Sequence, residues 1–199
     1  MDADALNTEL AGMDIYLLDQ VLKGRFSKGS HVLDVGCGGG RNHVWFARNG
    51  FEVFAVDSDS KSVEKVRAAG IVPADHVVEC YATKLPWPDA HFDAVICNAL
   101  LHLLEKRETW EAGLKETWRV LKPGGIWFAR LATTLSMEQH AEHLGDGLYR
   151  MPGTQWDILP TSLEEMLHWT EKLGGKLLEP IKTVNVQNQR AMATWVMQK

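Results

Sequence analysis

The sequence predicts an α/β fold in which a mostly parallel sheet carries helices on both faces. Three observations lead to this class. Apolar, strand-like runs alternate with helical patterns along most of the 199 residues. The first such run, at 32–35, passes directly into a glycine-rich turn and the start of a helix. The last two runs, at 177–187 and 191–197, have no helix between them and therefore predict a closing pair of strands.

The first half of the chain contains a leading helix and four predicted strands. Apolar residues at helical spacing predict a helix over about 8–25, ended by Gly24 and the run 27–30. The segments that follow are a strand at 32–35, a glycine turn, a helix at 41–49, a strand at 51–56, a helix at 60–69 and strands at 76–80 and 91–98. β-branched and aromatic residues favour the strands, and glycines end the helices.

The second half begins with a helix at 107–121, a tight turn at 122–125 and a fifth strand at 126–129. Residues 133–160 show no clear strand or long helix pattern, and a loop of this length is usually a functional cover or disordered. A final helix runs from about 161 to 173 and has two possible capping boxes, Thr161 with Glu164 and Ser162 with Glu165.

The glycine turn is the most informative stretch of the sequence. Gly36, Gly38 and Gly40 let the backbone turn sharply and let a ligand lie against it, while the next helix points free N–H groups toward that ligand. The spacing G-x-G-x-G, with Asp34 ahead of it, differs from the dinucleotide fingerprint G-x-G-x-x-G. Asp57 ends the second strand, where ligands bind in doubly wound sheets, and its carboxylate can accept both hydroxyl hydrogens of a ribose. A dehydrogenase and a turn without a ligand are the alternatives.

On these residues the chain resembles the class I S-adenosylmethionine-dependent methyltransferases. The run 118–125 before the fifth strand matches the same family. The resemblance implies a seven-stranded Rossmann-like sandwich with an antiparallel last strand, S-adenosylmethionine as cofactor and S-adenosylhomocysteine as product. It also implies a single domain over 1–199, with a leading helix in 1–29 and a substrate-covering loop at 133–160. The stretches 39–42 and 47–51 resemble the small bacterial tellurite-resistance and thiol-methylating type.

The resemblance also assigns a cofactor site. The residues it implies are Asp34, Gly36, Cys37, Gly38, Arg41, Asp57, Ser58, Ala82, Thr83 and Asn98. The side-chain amide of Asn98 can donate and accept hydrogen bonds to the methionine part of the cofactor. Tyr81 departs from the family pattern, because many members place an acidic residue there. The backbone around 82–83, or packing of Tyr81 along the adenine, would then replace that carboxylate.

Two residues beyond the fourth and fifth strands are candidates for the catalytic chemistry. His102 has an ordinary pKa near neutrality and is a possible general base, with a helix residue that caps the core as the alternative. Arg130 ends the fifth strand and either binds an anionic substrate group or pairs with one of the protein's own carboxylates.

Aromatic and histidine side chains supply the remaining candidates. Substrate contact or simple packing is open for Tyr16, Tyr149 and Trp156. The pair His140-x-x-His143 lacks a third ligand, so we predict a solvated helical turn and no metal site.

Composition limits the class of partner. The formal net charge of −5 argues against a protein that neutralises nucleic-acid phosphates and favours a small-molecule acceptor. No apolar stretch is long enough to span a bilayer, and the first residues do not resemble a signal peptide. Three cysteines, an odd number lying in or beside apolar strands, do not suggest a disulfide framework, so a reducing cytoplasm is expected. The sequence makes no prediction of oligomeric state.

Overall fold

The computed structural model describes residues 2–135, 141–151, 153 and 156–199. Its main sheet has the strand order β10-β11-β5-β4-β1-β2-β3. The strands are β1 (His31–Val35), β2 (Glu52–Asp57), β3 (Val77–Glu79), β4 (Phe92–Asn98), β5 (Leu121–Ala132), β6 (Glu142–Gly145), β7 (Leu148–Arg150), β8 (Asp157–Ile158), β9 (Lys176–Leu177), β10 (Lys182–Val186) and β11 (Arg190–Gln198). The helices are α1 (Ala3–Leu10), α2 (Ile15–Leu22), α3 (Val44–Arg48), α4 (Ser60–Ala69), α5 (Arg107–Arg119) and α6 (Leu163–Lys172).

The predicted sheet is confirmed. Strands β1 to β5 pair in parallel, and β11 is antiparallel to both β5 and β10. The strand predicted at 177–187 is interrupted, because β9 and β10 pair with different parts of the same edge of β11. The described sheet therefore has seven strand positions, and its outermost position is shared by two short strands.

Alternating residues of each central strand pack on opposite faces of the sheet. Val32 belongs to the layer beneath α2, α3 and α4, which contribute Leu17, Phe46 and Val63. Leu33 belongs to the opposite layer, beneath α5 and α6. That second layer contains five buried tryptophans, Trp110, Trp118, Trp127, Trp169 and Trp195. Both faces of the sheet are thus covered, and the carboxyl ends of the parallel strands are left to form a site.

The single leading helix predicted over about 8–25 is wrong. Two helices, α1 and α2, occupy this region, because Ala11 and Gly12 have the left-handed conformation (φ 51° and 75°) that ends α1. Asp14 then begins α2, and its Oδ1 accepts a hydrogen bond from the N–H of Tyr16 at 2.9 Å. The apolar spacing continued across this break and so did not reveal it.

The prediction of an unpatterned loop at 133–160 is also wrong in part. The strands β6, β7 and β8 form a separate antiparallel sheet. Asp146 and Gly147 join β6 to β7 with positive φ at both positions (51° and 77°), which is the two-residue turn that suits a hairpin. His143 therefore lies on a strand opposite Tyr149 and not on a helical turn. His140 lies outside the described residues.

Other local predictions are confirmed or refined. Ser162 and Glu165 form the capping box that begins α6, so of the two candidate boxes it is this one that forms. The 122–125 turn bulges out at the start of β5, where the register against β4 shifts between Phe92 and Ala94. Across the part of the chain that the structure describes, none of the helices combines the length and apolar character needed to cross a membrane.

Candidate functional site

A cavity of about 500 Å³ opens at the carboxyl ends of β1 and β2; we call it the turn cavity. The glycine turn, the end of β2 and the segments after β3 and β4 form its wall. The lining residues that matter below are Gly36, Gly38, Asp57, Ser58, Asp59, Ser62, Cys80, Tyr81, Ala82, Ala99, Leu100, Leu103 and Trp156. This is the edge at which doubly wound sheets bind ligands.

Hydrogen bonds to Asp57 hold the glycine turn in place. Its Oδ2 accepts from the N–H of Gly38 at 2.8 Å, and its Oδ1 accepts from the N–H of Asp59 at 2.9 Å. Gly36 has φ 69°, and a Cβ placed there would lie 2.8 Å from Cδ1 of Leu100. A side chain at that position is therefore disfavoured by both backbone conformation and space. Each oxygen of Asp57 keeps acceptor capacity for a ligand at the cavity wall.

Asp34 does not line the turn cavity. Its carboxylate is buried, and its Oδ2 lies 2.9 Å from Nδ1 of His43, which is also buried. The His43 ring lies close to Gly40, where an added Cβ would be 2.8 Å from the ring nitrogen Nε2. Asp34 thus connects β1 to the residue before α3 and stabilises the glycine turn on its buried side. Sequence reasoning overlooked His43, since only the fold brings it to Asp34.

Asn98 and Arg130 leave buried polar atoms without partners at this edge. They lie opposite each other in the β4–β5 register. Asn98 is 6% exposed, and neither Oδ1 nor Nδ2 has a hydrogen-bond partner among the described residues. Nε of Arg130 is likewise buried and unpartnered within the described part of the chain. Unsatisfied buried groups are costly, so this pair is suited to a polar ligand group.

Of the two alternatives for Arg130, the structure shows the pairing with one of the protein's own carboxylates. Its Nη1 donates to Oδ2 of Asp14 at 2.9 Å, and its guanidinium lies 4.3 Å from the ring centroid of Tyr16. Asp14 is buried and also accepts from Tyr16, while Nη2 of Arg41 lies 4.0 Å away. This cluster fastens α2 to the end of β5. Tyr16 therefore contacts Arg130 and does not line the turn cavity.

A second cavity of about 400 Å³ adjoins the first; we call it the apolar cavity. Its wall consists of Ala99, His102, Leu103, Ala132, Met151, Trp156, Ile158, Arg190, Ala191 and Met192. Three of these residues, Ala99, Leu103 and Trp156, also line the turn cavity. The two cavities are therefore neighbours across a shared wall beyond β4. Tyr149 does not line either cavity but packs with the cluster of Ala132 and Ile158 behind the wall.

His102 faces the apolar cavity with one ring nitrogen already engaged. Its Nδ1 accepts a hydrogen bond from the N–H of Ala132 at 3.3 Å. The side chain is 8% exposed, and this burial lowers the pKa of His102 to about 4. The ring is therefore neutral at physiological pH, and its proton is on Nε2 because Nδ1 is an acceptor.

Comparison with known proteins agrees with this geometry. Residues 33–129 match the sequence family described as a methyltransferase domain. Residues 33–129 of this chain therefore carry a methyltransferase domain. A ubiquinone biosynthesis O-methyltransferase of Xanthomonas oryzae is 34% identical over 130 residues, which are 64% of this chain and 53% of that protein. The chain spans about half the length of the curated relatives it matches.

Solved structures show the same methyltransferase fold. A SAM-dependent methyltransferase from Methanosarcina mazei has a TM-score of 0.73 at 18% identity, covering 90% of this chain and 96% of its own. The 1,6-didemethyltoxoflavin-N1-methyltransferase of Burkholderia thailandensis, solved with 1,6-didemethyltoxoflavin and S-adenosylhomocysteine, has a TM-score of 0.69 at 18% identity. It covers 98% of this chain and 80% of its own. At these identities the likeness concerns the fold.

S-adenosylmethionine is the cofactor of this methyltransferase family, and the turn cavity fits it. The glycine turn offers backbone without side chains, and Asp57 offers a carboxylate at the cavity wall. The unpartnered amide of Asn98 is buried beside the wall, next in sequence to the lining residue Ala99. Of the residues predicted for the cofactor, Gly36, Gly38, Asp57, Ser58 and Ala82 line the cavity.

The other predicted cofactor residues lie outside the cavity wall, namely Asp34, Cys37, Arg41, Thr83 and Asn98. Cys37 is buried in the core, Thr83 lies outside the cavity wall, and Arg41 donates to the carbonyl of Gly12 at 3.1 Å. The apolar wall residues Met151, Ile158 and Met192, and the cation Arg190, were missed by the sequence analysis. No local signal distinguishes them, because they come from the small sheet and from β11 and meet only in the fold. Among the described residues, no group of three or more potential ligands gathers to hold a metal ion.

Proposed function

We propose that this methyltransferase transfers a methyl group from S-adenosylmethionine to a small-molecule acceptor held in the apolar cavity. The observation that carries the proposal is the wall that the two cavities share, formed by Ala99, Leu103 and Trp156. Methyl transfer is a direct displacement whose main requirement is alignment of donor and acceptor. Adjacent cavities that share lining residues would bring donor and acceptor side by side, which supports the proposal.

The chain's own residues have distinct roles in this proposal. Gly36 and Gly38 present backbone to the cofactor, Asp57 accepts its ribose hydroxyls, and Asn98 bonds its methionine end. Ser58, Ala82 and the exposed Tyr81 also line the cavity, and in this proposal Tyr81 packs along the adenine. When bound, the cofactor supplies a methyl group activated by a positively charged sulfur.

A water-poor acceptor site favours a reaction in which charge is neutralised. The wall of the apolar cavity consists mostly of aliphatic, methionine and aromatic side chains, which disfavour ordered water. A general base is needed only when the acceptor atom still carries its proton. An acceptor that is already a thiolate, an oxyanion or an amine with a free electron pair requires none.

The comparisons support a small acceptor over a macromolecular one. The Xanthomonas relative is named for ubiquinone biosynthesis, and the Burkholderia structure holds a small heterocycle, 1,6-didemethyltoxoflavin. The net charge of −5 also disfavours an RNA substrate. A role as a SAM-binding protein without transferase activity is the second candidate, and Tyr81 at the position of the family's acidic residue favours it.

Two measurements test the proposal in sequence. Calorimetry with S-adenosylmethionine and S-adenosylhomocysteine tests cofactor binding, and failure to bind either would reject the assignment. A panel of thiols, phenols, amines and metalloid oxyanions is then assayed for release of S-adenosylhomocysteine. Turnover of a panel member supports the proposal. Cofactor binding with turnover of RNA or protein alone, or with no turnover of any acceptor, would favour the alternatives.

A further inference from the structure

The apolar cavity has an unusual distribution of charge. Eight of its ten described wall residues are apolar, namely Ala99, Leu103, Ala132, Met151, Trp156, Ile158, Ala191 and Met192. The other two are His102 and Arg190. Within the described wall there is a cation but no carboxylate.

Arg190 is the cation of this wall, and it has no carboxylate partner among the residues that the structure describes. Two other arginines, Arg130 and Arg150, each pair with a carboxylate of the protein. Arg150 forms two hydrogen bonds to Asp157, at 2.8 and 2.9 Å, and Arg130 is paired with Asp14. Arg190 begins β11 and is exposed, so we take its side chain to mark the mouth of the cavity. A guanidinium without a partner beside an apolar cavity is suited to a carboxylate or another planar anion.

His102 lies deeper in the same wall and differs from a general base. The backbone N–H of Ala132 occupies Nδ1, so a neutral ring carries its proton on Nε2. The other ring nitrogen, Nε2, is available to a ligand. Because it carries the proton, it would donate a hydrogen bond to that ligand. A base acting through Nε2 would need the proton on Nδ1, where it would point at the N–H of Ala132.

We propose that the acceptor is a small, largely apolar molecule with an anionic group, which Arg190 binds at the cavity mouth while the Nε2–H of His102 donates to a polar atom deeper inside. This inference rests on the proposed function and adds a substrate class to it. His102 is then a positioning residue that takes no proton. The acceptor's electron pair forms the new bond to the methyl carbon as the carbon–sulfur bond breaks, and that bonding pair stays on sulfur. The acceptor atom must therefore enter the step with a free electron pair, as in a thiolate, an oxyanion or a neutral amine.

Matched probes test the anion site. 2-Naphthoate and 2-naphthamide have nearly the same shape but differ in charge, and calorimetry in the presence of S-adenosylhomocysteine gives the Kd of each. We expect the wild-type protein to bind 2-naphthoate about tenfold more tightly, which is the scale of a hydrogen bond to a charged group at a partly exposed site. Arg190→Gln should remove this preference, and Arg190→Lys should keep part of it.

A control variant separates direct binding of the anion by Arg190 from the general effect of removing one positive charge from the protein. Lys176→Gln removes one positive charge on exposed β9, outside the cavity wall, and should leave the preference unchanged. Equal affinity for the two probes, binding of neither probe, or a preference that survives Arg190→Gln would overturn the anion assignment. Cofactor binding is measured separately, so failure of the proposed function, seen as no binding of S-adenosylhomocysteine, remains distinguishable.

The protonation of His102 has its own readout. Nitrogen-15 NMR of histidine-labelled protein reports which ring nitrogen carries the proton, and comparison with His102→Gln assigns the signal. A proton on Nε2 at neutral pH supports the donor role. A proton on Nδ1 would overturn it, whatever the acceptor proves to be.

Discussion

The Oδ2 atom of Asp57 accepts a hydrogen bond from the backbone N–H of Gly38 at 2.8 Å. These residues end β2 and form the glycine turn after β1, so one carboxylate joins two parts of the turn cavity. Because Asp57 also lines the cavity, its side chain has both a structural and a ligand-binding role in our proposal. The two roles can be separated by substitution.

Replacement of Asp57 by Ala should raise the Kd for S-adenosylhomocysteine by at least about tenfold, because it removes hydrogen bonds to a charged group. Asp57→Asn is the matched control, since its amide oxygen can still accept from the N–H of Gly38. Calorimetry measures both variants. We expect Asn to retain more affinity than Ala, and an unchanged Kd in Asp57→Ala would refute the ribose role.

Replacement of Asn98 by Leu should separate stability from binding. The amide is buried without partners among the described residues. An apolar side chain of similar size should therefore leave the free energy of unfolding unchanged or raise it by up to about 1 kcal/mol. Affinity for S-adenosylhomocysteine should fall. Denaturant titration and calorimetry measure the two effects.

Asn42→Leu is the control for that experiment. Asn42 is also buried, but its Oδ1 accepts from the N–H of Asp14 at 3.0 Å, so this variant should lose stability. If Asn98→Leu were clearly destabilised, or bound the cofactor as tightly as the wild type, the role of the Asn98 amide would be wrong.

Arg130→Gln should lower the free energy of unfolding by about 3 kcal/mol, because it leaves the buried carboxylate of Asp14 without its close cation. The double variant Asp14→Asn/Arg130→Gln should recover part of this loss, since the uncompensated charge is then gone. Urea titration of the three variants measures the coupling. Equal stability of Arg130→Gln and the wild type would mean that the ion pair does not fasten α2.

The free energy of unfolding should fall as the solution becomes more acidic, because the buried His102 resists protonation. Its folded pKa is about 4, against an ordinary value of 6.5, so between these values the unfolded chain binds a proton that the folded chain does not. The penalty is absent above pH 6.5 and grows to about 3 kcal/mol as the pH falls to 4. Urea titrations at several pH values should show this slope in the wild type and a smaller one in His102→Gln. The same slope in both proteins would contradict a buried, neutral His102.

Local sequence patterns were sufficient for most of the fold. The alternation of apolar runs located the strands and helices, and the spacing of glycines around Gly36 indicated a ligand-binding turn at a strand end. The break at Gly12 and the Asp146–Gly147 hairpin turn also had local signals, namely a glycine before an Asp cap and an Asp-Gly pair. These two were missed because continuous apolar spacing and a polar, glycine-containing segment favoured other interpretations.

Contacts between distant segments could not be predicted in the same way. The sequence left two partners open for Arg130, and the choice depends on Asp14, which lies 116 residues away. The donor role that we propose for His102 likewise depends on the N–H of Ala132, and the apolar cavity brings together β5, the small sheet and β11.

By itself the sequence predicted the fold class, the cofactor and the strand ends that we propose to hold it, because periodicity, glycine spacing and strand termination are local properties of the chain. The tertiary structure alone decided which charges are paired, which nitrogen of His102 is engaged and which cation lines the apolar cavity. The reason is physical. A side chain's partner, burial and proton are set by whatever packs against it, and in this protein those neighbours come from distant parts of the chain.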